Sequence, residues 1–232
     1  MPAINIPTKT EKREHILACA QRVFANRGVV GVTMEDIARA AGVSKGALYL
    51  LFSSKDELYL QLATVAARGL VVHLKRATKQ TSGFEQAALL MKGYASYYLE
   101  DATLFRLATA WLAPGFRLDE SLPGAAEYRS VILEAMRISV SAFELGQRDG
   151  SINRALDAPR TVVQLWACVV GLLLVDAKAR DDGPLPPQVN GMLWGALATR
   201  GATSTSAQMA HSVDEFIDLI MSAVKAPMAE AR

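Results

Sequence analysis

Between Thr33 and Lys55 the sequence carries small, hydroxyl-bearing and basic side chains of the kinds that hydrogen-bond to phosphates and base edges. Lys45 can donate to guanine acceptors or to phosphate oxygens, and Tyr49 and Lys55 can each donate to phosphate. Small residues beside Lys45 would let a helix approach a flat partner closely. These residue types favour non-covalent recognition of a polyanion. The candidate nucleic-acid contacts are Thr33, Ser44, Lys45, Gly46, Ala47, Tyr49 and Lys55.

A pair of short helices joined by a glycine turn would position these side chains. Thr33 suits the N-cap of the first helix because its hydroxyl can accept from an N–H group of the first turn, and Ser44 suits the N-cap of the second. Gly42 supplies the positive φ that a sharp turn between helices requires. The second helix is predicted to run from about Lys45 to Leu51. The inward positions follow helical spacing: Met34, Ile37, Ala38, Ala41, Leu48 and Phe52.

Residues 33–58, TMEDIARAAGVSKGALYLLFSSKDEL, closely resemble the helix-turn-helix of the TetR/AcrR family of bacterial transcriptional regulators. The resemblance implies that the second helix enters the major groove of double-stranded DNA. Many family members carry His or Tyr where this chain has Leu51, and some carry a DNA-contacting aromatic where it has Leu50. We therefore expect one phosphate contact to be missing, and we expect both leucines to pack against the first helix.

The charge of the chain is divided unevenly. Its net charge is +2, but residues 1–80 hold 12 Lys and Arg against 6 Asp and Glu, whereas residues 81–232 hold 13 against 17. A basic N-terminal segment beside a slightly acidic C-terminal one suits binding of a polyanion by the first segment. So small an excess of basic residues is also compatible with an ordinary solvated surface. The composition, 51% hydrophobic and 21% charged, is sufficient for a buried core.

The remaining sequence predicts helix after helix, without strand alternation. We predict an all-α fold with two domains: a three-helix DNA-binding domain at residues 1–55 and a larger helical effector-binding and dimerisation domain at residues 56–232. Residues 158–179 form the most hydrophobic helix. Its apolar run, Leu165 to Val175, is shorter than the roughly 20 residues that span a bilayer, so we expect a core or interface helix and no membrane association.

In the predicted domain at residues 56–232, one group of residues is a candidate for binding an effector and another for forming a dimer interface. The family resemblance implies a small-molecule effector, and a mostly apolar cavity with a few polar groups would suit an apolar or aromatic ligand. Plain core packing is the alternative interpretation for the aromatic and methionine side chains, whereas the two arginines could pair with an anionic group or lie in water. The predicted pocket residues are Met91, Tyr94, Tyr98, Phe105, Arg106, Trp111, Met136, Arg137 and Phe143. The resemblance also implies a homodimer, for which the predicted interface is Trp166, Val170, Leu173, Leu174, Phe216 and Ile220.

The sequence gives little support to an enzyme. His15, His73 and His211 lie in separate predicted helices, and no metal-ligand spacing, nucleophile elbow or phosphate loop is present. We expect no catalytic residues, no metal and no cofactor. Cys19 and Cys168 are expected to be buried, reduced thiols, which fits a cytoplasmic protein. The alternative function is a helical DNA-binding protein without a small-molecule effector, controlled by a protein partner or acting in DNA organisation. A pure interaction module would show no salt-sensitive affinity for DNA.

Overall fold

The computed structural model describes residues 8–27, 29, 31–76, 82–109, 118–182 and 206–226. Within these ranges the chain is helical, apart from turns and one isolated antiparallel bridge between Ile152 and Lys225, so the all-α prediction is confirmed. The described helices are α1 (Lys9–Arg27), α2 (Met34–Ala40), α3 (Lys45–Tyr49), α4 (Lys55–Arg76), α5 (Gly83–Glu100), α6 (Ala102–Ala108), α7 (Ala125–Asp149), α8 (Ala158–Asp182) and α9 (Ser206–Ser222).

The predicted domain boundary after residue 55 differs from the division that packing makes. Helix α4 begins at Lys55, but the compact units separate within this helix, between Ala67 and Arg68. The first unit comprises Met1–Ala67 and Leu107–Ser130, and the second comprises Arg68–Arg106 and Val131–Arg232. A long helix that continues from one unit into the next hides such a boundary from the sequence, because its hydrophobic period does not change there.

The first unit contains a small core around helices α1, α2 and α3. Phe24 of α1 is buried, and its ring meets that of Tyr59 edge to face with 5.5 Å between the centroids. The predicted inward positions Met34, Ile37, Ala38, Ala41, Leu48 and Phe52 are all buried. Helical spacing alone therefore identified the packed side of the two short helices.

The second unit packs α5 against α8 and α9. The start of α5 also lies against the end of α7, where a Cβ atom at Gly83 would overlap the backbone of Gly146. The Gly83 N–H donates to Asp149 Oδ2 over 2.7 Å, and the Phe84 N–H donates to Ser151 Oγ over 3.0 Å. Hydrogen bonds from the Ser151 hydroxyl and from the Gly83 and Ser151 amides hold the pKa of Asp149 below its ordinary value.

Helix α8 is longer than the apolar run within it. Its stretch Ala158–Val175 is long and apolar enough to cross a membrane by length and composition, but a single such helix is a weak indication, because core helices meet the same criterion. One side of α8 is buried in the second unit, through Val162, Leu165, Trp166, Val169, Val170 and Leu173. This side identifies α8 as a core helix. The sequence also predicts a helix from Val189 to Arg200, but this segment lies outside the described residues.

Candidate nucleic-acid interface

The start of α2 is held by a reciprocal cap between Thr33 and Asp36. The Thr33 hydroxyl accepts from the Asp36 N–H over 3.2 Å and donates to Asp36 Oδ2 over 2.7 Å, while the Thr33 N–H donates to the same oxygen over 3.0 Å. Arg27 Nη1 lies 3.1 Å from Asp36 Oδ1. The Thr33 hydroxyl, followed by the Thr33 amide and Arg27, holds the pKa of Asp36 far below its ordinary value. The hydroxyl of Thr33 thus already has partners within the domain.

The turn between α2 and α3 has the predicted form. Gly42 adopts φ +65°, and the Val43 N–H donates to the Ala38 carbonyl over 3.0 Å. The Ser44 hydroxyl then caps α3 by accepting from the Ala47 N–H over 3.1 Å. A ring nitrogen of His15 on α1 lies 3.1 Å from the Ala41 carbonyl, which leaves that nitrogen as the donor because a carbonyl can only accept.

Helix α3 has one buried side and a broad exposed side. Leu48 is completely buried, whereas the predicted DNA contacts Lys45, Gly46, Ala47 and Tyr49 are exposed. A Cβ atom at Gly46 would meet nothing within 4 Å, so the backbone there is open to a partner. The structure therefore places these four residues together on one accessible surface, although Ser44 and Thr33 contribute mainly as caps.

The expectation that Leu50 packs against the first helix is wrong. Its side chain is 83% exposed, because it lies on the side of α3 opposite Leu48. Leu51 is half-buried, and its carbonyl accepts from Arg13 Nη1 over 2.6 Å. The sequence identified Leu50 and Leu51 as unusual. It could not predict which way they face, because they follow the last residue of a short helix and helical spacing is unreliable there.

Arg13 joins α1 to the end of α3 and to the start of α4. Besides its hydrogen bond to Leu51, its guanidinium lies 4.3 Å from the ring centroid of Phe52 and 3.6 Å from Glu57 Oε1. Glu57 is buried and also accepts from the Ser53 amide and hydroxyl over 2.8 and 2.7 Å. One cation therefore fixes the exit of the helix that carries the candidate DNA contacts. Sequence reasoning missed this role, since the partners are distant along the chain.

Lys55, a predicted phosphate contact, has two partners within the first unit. Its ammonium group donates to the Val29 carbonyl over 2.9 Å and to the Val32 carbonyl over 3.0 Å. An ammonium group has three donors, so a single N–H is left for a phosphate oxygen. The DNA contact of Lys55 stays a prediction, while its bonds to the segment before α2 show a role in the fold.

The predicted effector-pocket residues occupy different environments in the second unit. The buried ones are Met91, Tyr94, Tyr98, Phe105 and Phe143. Arg106 and Met136 are half-buried, and Arg137 is exposed. Trp111 lies outside the described residues. The rings of Tyr98 and Phe105 meet edge to face at 5.4 Å. Burial raises the pKa of Tyr94 to about 12, although a hydrogen bond with Ser139 opposes the rise.

Arg137 is wrong as a polar group of a buried pocket. The inward positions of α7 include Ala135, Ser139 and Phe143, and Arg137 lies on the other side of the helix. It lines an open cleft of about 450 Å³ together with polar side chains such as Lys75, Gln86 and Glu134. An anion held by Arg137 would therefore lie at the surface, away from the buried aromatic rings.

The predicted dimer interface is wrong in Trp166, Val170 and Leu173, which are buried within the protomer. Leu174, Phe216 and Ile220 are half-buried. The exposed face of α8 is a different stripe, composed of Val163, Gln164, Ala167, Cys168, Gly171 and Val175. Cys168 is thus exposed, contrary to prediction, while Cys19 is buried. A helix that is apolar nearly all round gives no hydropathy signal that separates its two faces.

The three histidines lie in separate helices of the described ranges. No group of three or more His, Cys, Asp or Glu side chains there could hold a metal ion. His73 contacts Ser96 Oγ over 2.7 Å, and His211 lies 3.2 Å from Glu215 on its own helix.

The Arg13 cluster should contribute more to stability than an exposed arginine nearby. We predict that Arg13→Met lowers the free energy of unfolding by about 1–3 kcal/mol, because Glu57 and the Leu51 carbonyl each lose a charged donor. Arg39→Met is the matched control. Arg39 is 74% exposed, and its guanidinium lies 3.9 Å from Glu35 and 3.7 Å from Asp36, so the loss of these long, solvent-exposed pairs should cost less than about 0.5 kcal/mol. Urea unfolding at pH 7 measures both, and equal losses would contradict the role of Arg13.

Comparison with known proteins agrees with this arrangement. Residues 16–62 match the family model for bacterial regulatory proteins of the tetR family. The transcriptional regulator TtgR of Pseudomonas putida is 29% identical over 166 residues, which cover 70% of this chain and 79% of TtgR. The transcriptional repressor AcnR of Corynebacterium diphtheriae is 35% identical over 162 residues, which cover 68% of this chain and 75% of AcnR.

A solved structure shows the same fold over almost the whole chain. The crystal structure of a bacterial regulatory protein in the tetR family from Rhodococcus RHA1 superposes with a TM-score of 0.66 at 14% identity, covering 95% of this chain and 100% of that one. The match of residues 16–62 to the family model confirms the sequence resemblance of residues 33–58. The segment that the family model matches, residues 16–62, contains the whole exposed surface of α3. The chain belongs to the TetR family of bacterial DNA-binding transcriptional regulators, and it is not an enzyme.

Proposed function

We propose that this regulator is a cytoplasmic repressor that binds a palindromic DNA site as a homodimer and leaves it when a small, mostly apolar or aromatic effector binds. The exposed surface of α3 opposite the buried Leu48 is the observation that carries the proposal. It offers an ammonium group at Lys45, open backbone at Gly46 and a phenol at Tyr49, which suit base edges and phosphates. The similar regulator AcnR is itself named a repressor.

A second copy of the chain is the proposed cover for the exposed stripe of α8. Val163 and Val175 are 45% and 37% exposed, with the small residues Ala167, Cys168 and Gly171 between them. Small side chains allow two helices to approach closely, and burial of the valines against a partner would recover their hydrophobic stabilisation. Two α3 helices about 34–36 Å apart could then read both halves of a palindrome.

The proposed effector site rests on the buried aromatic side chains of the second unit. An effector that releases DNA must bind more tightly to the conformation that does not bind DNA. The alternative is a regulator controlled by a protein partner, without a small-molecule effector. Release of the DNA complex by a small apolar or aromatic compound supports the first proposal, whereas release by a protein alone supports the alternative.

DNA binding can be tested with fragments from around the gene for this chain. We expect fluorescence anisotropy to show one fragment bound tightly, with two protomers per site and an affinity that falls steeply with salt. The titration is repeated at two salt concentrations with a scrambled fragment as control. Equal binding of both fragments would contradict a specific site near the gene.

Substitutions of Lys45 and Tyr49 on α3 and of Lys55 on α4 should separate base recognition from phosphate binding. Lys45→Ala should change the preferred sequence if Lys45 reads bases, whereas Tyr49→Phe should weaken binding to every sequence with little change in the salt slope, because the hydrogen bond that it removes is neutral. Lys55→Ala should flatten the slope by about 0.9 for each phosphate that is no longer neutralised. Its unfolding is measured in parallel, since Lys55 also bonds to Val29 and Val32. An unchanged slope would remove Lys55 from the residues that bind DNA.

The dimer proposal predicts different effects for two exposed valines. Val163→Glu places a charge in the exposed stripe of α8 and should convert the dimer to a monomer at micromolar concentration, because an unpaired charge is costly to bury. Val72→Glu on α4 is the matched control, since Val72 is 52% exposed and lies outside the stripe. Sedimentation velocity distinguishes the species. A dimeric Val163→Glu variant would contradict this interface, and a monomeric wild type would contradict dimerisation.

A further inference from the structure

Leu50 is the most exposed large hydrophobic side chain among the described residues, at 83% of its full exposure. It follows directly after α3, where its N–H donates to the Gly46 carbonyl over 3.1 Å, and its φ of −69° and ψ of −18° continue the helix. The neighbouring large apolar side chains of the segment, Leu48 and Phe52, are completely buried. Leu50 is therefore an apolar group that the first unit leaves in water.

The position of Leu50 on the helix places it at the middle of the exposed surface. Successive residues of an α-helix are separated by about 100°, so Leu50 lies about 160° from the buried Leu48 and about 40° from Gly46. Side chains in a helix lean toward its N-terminus. One turn before Leu50, the space beside Gly46 is open, because a Cβ atom built there would meet nothing within 4 Å.

The chemistry of a leucine restricts what it can recognise on DNA. It has no donor or acceptor, so it cannot read the hydrogen-bonding groups of bases or hold a phosphate. The major groove presents one apolar group at the base edges, the C5-methyl group of thymine. A side chain at the centre of the surface that enters this groove, with open space beside it, fits that methyl group.

Building on the function proposed above, we propose that Leu50 determines specificity by packing against a thymine methyl group in each half of the DNA site. Leu50 selects thymine over cytosine at that position through contact with the methyl group, while Lys45 and Tyr49 supply the polar contacts.

Thymine-to-uracil replacement tests this assignment, since deoxyuridine differs from thymidine only by the missing methyl group. A duplex selected from a random library by the wild-type chain is resynthesised with each thymine replaced in turn. One thymine in each half-site should lower the affinity of the wild type about fourfold when replaced, the factor for one buried methyl group. The same replacement should change the affinity of Leu50→Ala by less than about 1.5-fold.

Two controls keep the outcomes distinct. Leu133→Ala removes a leucine that is 48% exposed on α7, and it should keep the uracil response of the wild type. Unfolding midpoints of both variants should match the wild type, because neither leucine is buried. Specific binding without a uracil-sensitive position, or with one that persists in Leu50→Ala, would overturn the assignment alone. If no duplex is selected, the proposed recognition of a specific palindromic site fails, and the assignment fails with it.

Discussion

The recognition surface of this regulator depends on the guanidinium of Arg13. Helix α3 has five residues, too few for a stable helix on its own, and only Leu48 within it is buried. Arg13 holds the exit of this helix by donating to the Leu51 carbonyl, stacking on Phe52 and pairing with the buried Glu57. Arg13 contacts the Leu51 carbonyl and the buried ring of Phe52. These contacts do not involve the exposed side chains of α3, which remain accessible to a partner.

Several polar side chains elsewhere in the first unit make hydrogen bonds that stabilise the fold. Thr33 and Asp36 cap one helix, Ser44 caps the next, and Lys55 bonds to two carbonyls ahead of α2. The Thr33 hydroxyl also donates to Asp36, whereas Ser44 accepts from a helix amide and keeps its O–H as a donor for a phosphate. The groups that stay in solvent on α3 are consequently few and varied: an ammonium, a phenol and the apolar side chain of Leu50. Such a mixture suits recognition of base edges more than simple neutralisation of charge.

Helix α8 shows how one apolar segment can have two separate roles. Its inner side contributes to the core of the second unit, and its outer side carries small residues between two exposed valines. The aromatic side chains proposed to line an effector site are buried in the same unit, with Tyr98 and Phe105 in direct ring contact. Any ligand that enters among them must displace these contacts, which is a physical route for a ligand to favour one conformation over another.

The amino-acid sequence by itself determined the features that depend on near neighbours: the two capped helices, the glycine turn at Gly42, the inward stripe that ends at Phe52 and the resemblance to a regulator family. Only the tertiary structure decided that Leu50 faces solvent, that Lys55 bonds to Val29 and Val32, and that Trp166 belongs to the core. Caps and turns involve residues three or four positions apart, so their chemistry can be recognised in order along the chain. The environment of Leu50 or of either face of α8 depends on contacts between distant segments, for which hydrophobicity along one helix carries no information.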